Sequence, residues 1–101
     1  MKPESSESAY QQIVSHIENN GNQPSEWYAG VTANWENRLF NDHTVPKTGH
    51  GRIARQCFTS KDARAAEEAL LQLGCDGAPG GGDETAVFVY AYRKVVGVTS
   101  P

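Results

Sequence analysis

Cleaving a phosphate ester takes a positive group on the developing negative charge and a second group that orients the attacking nucleophile. This chain holds residues of both kinds. Arg38 offers a planar guanidinium whose paired donors match phosphate oxygens. Glu67 can hold Mg2+ together with waters and phosphate oxygens, and Tyr28 or Tyr90 can orient a water. Each also has a plainer role open to it. Arg38 suits a solvated helix face, Tyr28 suits a core or a rim, and Glu67 suits a boundary position paired with Arg64 or Lys61.

Other reactive residue types carry less. His43 and His50 can in principle join Asp42 or Asp83 at a transition metal, but the Pro/Gly stretch between the histidines gives no regular ligand spacing, and a dedicated zinc site is not expected. Cys57 and Cys75 are far apart, form no CxxC, and read as buried thiols. The segment Gly77 to Asp83 (GAPGGGD) lacks the Gly-Lys-Ser/Thr of a phosphate loop and precedes a strand where such loops open helices. Its residues Gly80, Gly81, Gly82 and Asp83 either wrap a ligand or make a tight connection between helix and strand.

Stepping outward from these residues, 101 residues with 38% apolar and 21% charged side chains suffice for one domain with a single small core and one cleft. Nine basic residues against 12 acidic give a net charge of −3, so the chain has no global positive field and any nucleic-acid contact rests on a local site. No run of 18 apolar residues occurs, and Met1 to Ser8 has no apolar signal-like core. A cytoplasmic protein that does not use a membrane is expected.

The elements that position the candidates can be read from periodicity. Tyr10, Ile13, Val14 and Ile17 form one apolar stripe, predicting a helix over 6–19. Residues 26–32 (EWYAGVT) read as a strand, 34–42 as a short helix, 44–52 as a loop and 53–58 as a second strand. Thr59 and Asp62 cap a further helix ending at Gly74, in which Glu67 borders the Ala66, Leu70, Leu73 stripe and Glu68 points away. Residues 85–94 (TAVFVYAYRK) form a final strand that needs cover on both faces and so is central or nearly so. Segments 1–5 and 97–101 read as loose tails. The order predicts an α/β (α+β) domain: a small, mostly antiparallel three-stranded sheet covered by three helices.

WYAGVT, followed by Arg38, Leu39 and His43 in RLFNDH, resembles the second half of the GIY-YIG nuclease motif, and the helix ARAAEEALL resembles that family's later metal-binding helix. The resemblance spans about Trp27 to Leu73. It implies a Mg2+-dependent endonuclease acting on nucleic acid, with Tyr28, Arg38 and His43 catalytic and Glu67 on the metal. The family's opening strand, which supplies a further tyrosine, has no counterpart before Trp27. The strand FVYAY can take that place beside WYAGV in a permuted order and bring in Tyr90 or Tyr92. Arg38 and His43 are five residues apart, where four is commoner in the family, and on an α-helix five steps turn the two side chains away from each other. The rival expectation is a non-catalytic module of phage or accessory type, binding a protein or ligand through the loops 44–52 and 77–83.

Overall fold

Two hydroxyl caps open the long helices. In the computed structural model, which describes residues 1–20, 23–78 and 82–101, the Ser5 side chain accepts from the Ser8 N–H and starts helix α1 (Ser6–Asn19). Thr59 accepts from the Asp62 N–H at 3.1 Å and starts helix α2 (Ser60–Leu73). Gly74, at φ 127°, ends α2 in a conformation that a side chain would strain.

Three strands, β1 (Trp27–Thr32), β2 (Arg52–Gln56) and β3 (Phe88–Arg93), form one sheet in the order β1-β3-β2, and both pairings are antiparallel. The last strand is therefore central, as its two-sided apolar pattern requires. It lies directly beside WYAGV, with Gly30 opposite Tyr90 and Tyr28 opposite Tyr92. It is shorter than the 85–94 run suggests, because Asp83 and Ala86 close a turn and the Val87 carbonyl is bonded to Cys57.

Alternation along the strands separates two cores. Trp27, Ala29, Val31, Val89 and Ala91 meet Ile13 and Ile17 of α1 and Ala63, Ala66 and Leu70 of α2. Each fully buried Ile, Leu or Val side chain there contributes roughly 1.5–3 kcal/mol. On the other face, Tyr90 and Tyr92 pack with Leu39 and Val45, and Tyr28, Trp35 and Phe40 flank them.

The third helix is not the α-helix that 34–42 suggests. Asn37–Asp42 is a π-helix, in which the His43 N–H bonds to the Arg38 carbonyl at 2.9 Å, five residues back. Both terminal segments carry bonds to the body of the domain. Glu4 pairs with Arg55 at 2.6 Å and donates its N–H to the Gln56 carbonyl, while the Ser100 N–H donates to the His43 carbonyl at 2.7 Å. Among the described residues no helix is long and apolar enough to cross a membrane.

Candidate functional site

The sheet face under the π-helix gathers the polar residues. Period-2 alternation puts Tyr28 of β1 and Tyr90 and Tyr92 of β3 on this one side. Tyr28 stacks on Tyr92 with ring centroids 5.2 Å apart and lies 5.0 Å from the His43 ring. The five-residue step from Arg38 to His43 spans one π turn, with the His43 N–H on the Arg38 carbonyl, so the two are turned apart less than an α-helix would turn them, and the Arg38 charge acts on the imidazole.

His43 is the hub. It is 4% exposed, its Nε2 lies 2.8 Å from the Tyr90 hydroxyl, and its Nδ1 lies 2.7 Å from the Ser100 carbonyl and 3.1 Å from the Tyr92 hydroxyl. Burial holds its pKa below the usual histidine value, with the Ser100 hydrogen bond opposing and the Arg38 charge adding to the fall, so the ring is neutral at pH 7. Tyr90 is buried against it, and removal from water drives its phenol well above the ordinary tyrosine range, as it does for Tyr92. Both hydroxyls therefore keep their protons and can donate.

Gly30 makes room for this pair. A Cβ on Gly30 would stand 2.5 Å from the Tyr90 hydroxyl and 2.7 Å from its Cζ, so the phenol crosses the strand where a side chain would otherwise sit. Tyr28 is only part-buried and forms the rim. Desolvation raises its pKa first, Asp76 and Glu67 raise it further, and Arg38 opposes them. The Arg38 side chain is 44% exposed and lies 3.6 Å from Asp42, an exposed i,i+4 pair worth little.

Glu67 comes from α2, which covers the opposite face. Helical geometry orders the two adjacent carboxylates as expected: Glu67 is 4% exposed and Glu68 faces solvent. Burial raises the Glu67 pKa, with Arg64 opposing, and its charge acts on both Tyr28 and Tyr90. The Arg38 and Glu67 charges thus both act on the Tyr28 and Tyr90 phenols, and Arg38 acts on His43 as well.

The remaining candidates go elsewhere. The Asp83 carboxylate accepts from the Thr85 N–H at 2.8 Å and the Thr85 hydroxyl at 2.6 Å, which lowers its pKa and commits it to a turn. The Gly82 carbonyl accepts from Arg64, and Gly82 has φ 81° with a would-be Cβ 2.6 Å from Ala86, so both residues act in the connection. Gly80 and Gly81 lie outside the described residues. Cys57 and Cys75 are buried, and desolvation pushes each thiol up to about 11, leaving neither as a nucleophile at neutral pH. His50 gives its carbonyl to the His16 ring at 2.7 Å, and among the described residues no group of three or more His, Cys, Asp or Glu side chains is placed to hold a metal.

Tyr92, named beside Tyr90 as a tyrosine the final strand can bring in, does share that face and contacts Nδ1. One participant escapes sequence reasoning. Ser100 carries no signal, because its part is played by a backbone carbonyl. No protein-family model, no curated protein and no solved structure matches this chain.

Proposed function

We propose that this face binds a phosphodiester of a nucleic acid and cleaves it, in the manner of the GIY-YIG nucleases that the sequence resembles. The observation that carries the reading is the polar cluster on this face, where Tyr28, Tyr90 and His43 meet and the Arg38 charge acts on all three, while Glu67 stands on α2 across the sheet and reaches Tyr28 and Tyr90 through its charge. A single buried carboxylate with no hydrogen bond of its own among the described residues fits Mg2+ held mainly by waters and substrate oxygens, and does not fit a dedicated protein cage. Glu67 is the residue that would hold the ion, which when bound supplies charge neutralisation at the phosphate.

The chain's own residues divide the remaining work. Arg38, half exposed beside the rim, places two parallel N–H donors on the phosphate oxygens. Tyr28 orients the attacking water. The Tyr90 hydroxyl donates to His43 and keeps lone pairs for a further donor, so a proton arriving at the Tyr90 oxygen is matched by one leaving for His43 Nε2.

A supercoiled plasmid and a structured RNA, each incubated with Mg2+ or Mn2+, test this. The protein should nick or cut one of them, and Arg38→Ala and Glu67→Ala should each lose about 10²-fold or more. Identical products from the protein and both variants refute the reading.

One observation favours the non-catalytic alternative. A cavity of about 360 Å³ lies against the 44–52 loop, lined in part by Thr48, His50 and Arg93, on a chain whose net charge is −3. If that loop is the working surface, amide shifts on adding oligonucleotide will be absent from the Arg38 face, and those on adding a partner or small ligand will localise to 44–52.

A further inference from the structure

Val95 to Ser100 is closed on itself and tied to Thr44 and His43 through Val98 and Ser100, while Val96 to Val98 face solvent. The Val95 N–H donates to the Thr99 hydroxyl at 2.9 Å and the Thr99 N–H to the Val95 carbonyl at 2.9 Å, closing the segment on itself. The Thr44 hydroxyl lies 2.7 Å from the Val98 carbonyl, and the Ser100 N–H donates to the His43 carbonyl. Thr44 has φ 52°, an uncommon state for a β-branched residue, and its hydroxyl lies 2.7 Å from both the His43 and the Val98 carbonyls, which share its one hydrogen. The result is that a backbone carbonyl, Ser100 C=O, sits 2.7 Å from His43 Nδ1.

A carbonyl oxygen only accepts. Two lone pairs facing each other at 2.7 Å would repel, so Nδ1 must carry the hydrogen. The Tyr92 hydroxyl, 3.2 Å from the same carbonyl and 3.1 Å from Nδ1, is compatible: it donates to Ser100 and accepts from the ring. In a neutral imidazole a protonated Nδ1 leaves Nε2 bare, and Nε2 then accepts from the Tyr90 hydroxyl at 2.8 Å. We propose that the segment Val95 to Ser100 fixes the tautomer of His43, and through it makes Tyr90 a donor to His43 instead of an acceptor from it. Ser100 is a positioning residue in this scheme, acting through its main chain. The catalytic consequence, a base kept open at Nε2, rests on the nuclease reading above; the tautomer does not.

The test reads the tautomer and the activity separately. Long-range proton–nitrogen correlation of the imidazoles in the ¹⁵N-labelled protein at pH 7.5, with His43 assigned by its loss in His43→Gln, should show a protonated Nδ1 and a bare Nε2. A chain ending at Val98 should shift His43 mainly to the Nε2–H form, whereas Ser100→Gly, which keeps the carbonyl, should not. Should the shortened chain fail to fold, Thr44→Val frees Val98 in the intact chain and should move the same population by at least several-fold. A native His43 with Nε2–H, or variants that leave the tautomer unmoved, would overturn the proposal. If the intact protein cleaves, the tautomer shift should lower kcat about 10-fold or more with KM nearly unchanged, and an unaltered kcat refutes the positioning role. A tautomer that shifts as expected in a protein that cleaves nothing upholds the proposal and removes the nuclease reading alone.

Discussion

Gly30→Ala is the sharpest probe of the site, because one methyl group meets a hydroxyl already committed elsewhere. The new Cβ would lie 2.5 Å from the Tyr90 hydroxyl, 2.7 Å from Cζ and 3.0 Å from Cε1. The ring is not a free end that swings aside: it is 3% exposed and its hydroxyl is bonded to His43 at 2.8 Å. Moving it strands the buried Nε2 without a donor, at about 1–3 kcal/mol, and forces the ring into packed neighbours, at about 1–3 kcal/mol more. Replacing a strand glycine by alanine returns roughly 0.5–1 kcal/mol through the unfolded chain. The net loss is about 1–5 kcal/mol and centres on about 3, where it lowers Tm by roughly 10–25 °C for a domain of this size. Urea unfolding measures it, and a second background isolates the cause. With Tyr90→Ala the obstacle is gone, so Gly30→Ala should become neutral or slightly stabilising, a strongly non-additive pair. Equal losses in both backgrounds would falsify the account, since the damage would then lie in the backbone and not in the phenol.

Two further predictions use the titrations, and their signs are opposite. His43 binds a proton less readily folded than unfolded, so its contribution to stability is complete above about pH 6.5 and is lost as pH falls through that value towards the lower folded pKa; urea midpoints between pH 5 and 8 should show this loss in the protein and a flatter profile in His43→Gln. Glu67 binds its proton more readily folded, so its penalty is absent below the unfolded pKa and grows as pH rises through the folded one. Glu67→Gln should therefore be more stable than the native chain at pH 7.5 by about 1 kcal/mol, with the gap closing towards pH 4; a destabilised Glu67→Gln at pH 7.5 contradicts the uncompensated carboxylate inferred above.

What the sequence makes legible here is what depends on local period. The Tyr10, Ile13, Val14, Ile17 stripe sets α1 at Ser6–Asn19, Thr59 and Gly74 bracket α2, and the two apolar faces of residues 87–92 make β3 the middle strand. Tyr28, Tyr90 and Tyr92 share a face for the same reason, and Glu67 is buried while Glu68 is not because a helix turns 100° per residue. What fails is equally physical. The periodicity of 34–42 cannot distinguish an α-helix from a π-helix, because the choice is made by whether the His43 N–H bonds to Leu39 or Arg38, and tertiary packing decides that. Ser100 reads as part of a tail because its partners, the His43 carbonyl and ring, stand 57 positions away, while Thr99 bonds locally to Val95.

These two failures have one cause. At 100° per residue, five steps overshoot a full turn by about 140°, so an α-helix would carry His43 over Leu39 and away from Arg38. The π turn before His43, the left-handed Thr44 after it and the Val95–Ser100 segment across from it are three separate departures from regular backbone, and all three act on one side chain. A left-handed β-branched residue alone costs roughly 1–3 kcal/mol, and it persists only where neighbouring bonds over-determine it. Here those bonds are the Thr44 hydroxyl to Val98, the Ser100 N–H to His43 and the Nδ1–H to Ser100, each at 2.7 Å. Burial of an imidazole for packing alone requires none of this, since a leucine would fill the space without strain. The strain is intelligible if what is held is the ring's orientation and its one proton, with Nε2 turned to Tyr90. Irregular backbone around His43 and the polar cluster on this face are then two views of the same requirement, and loss of the Ser100 contact should be felt at Tyr90 before it is felt in the core.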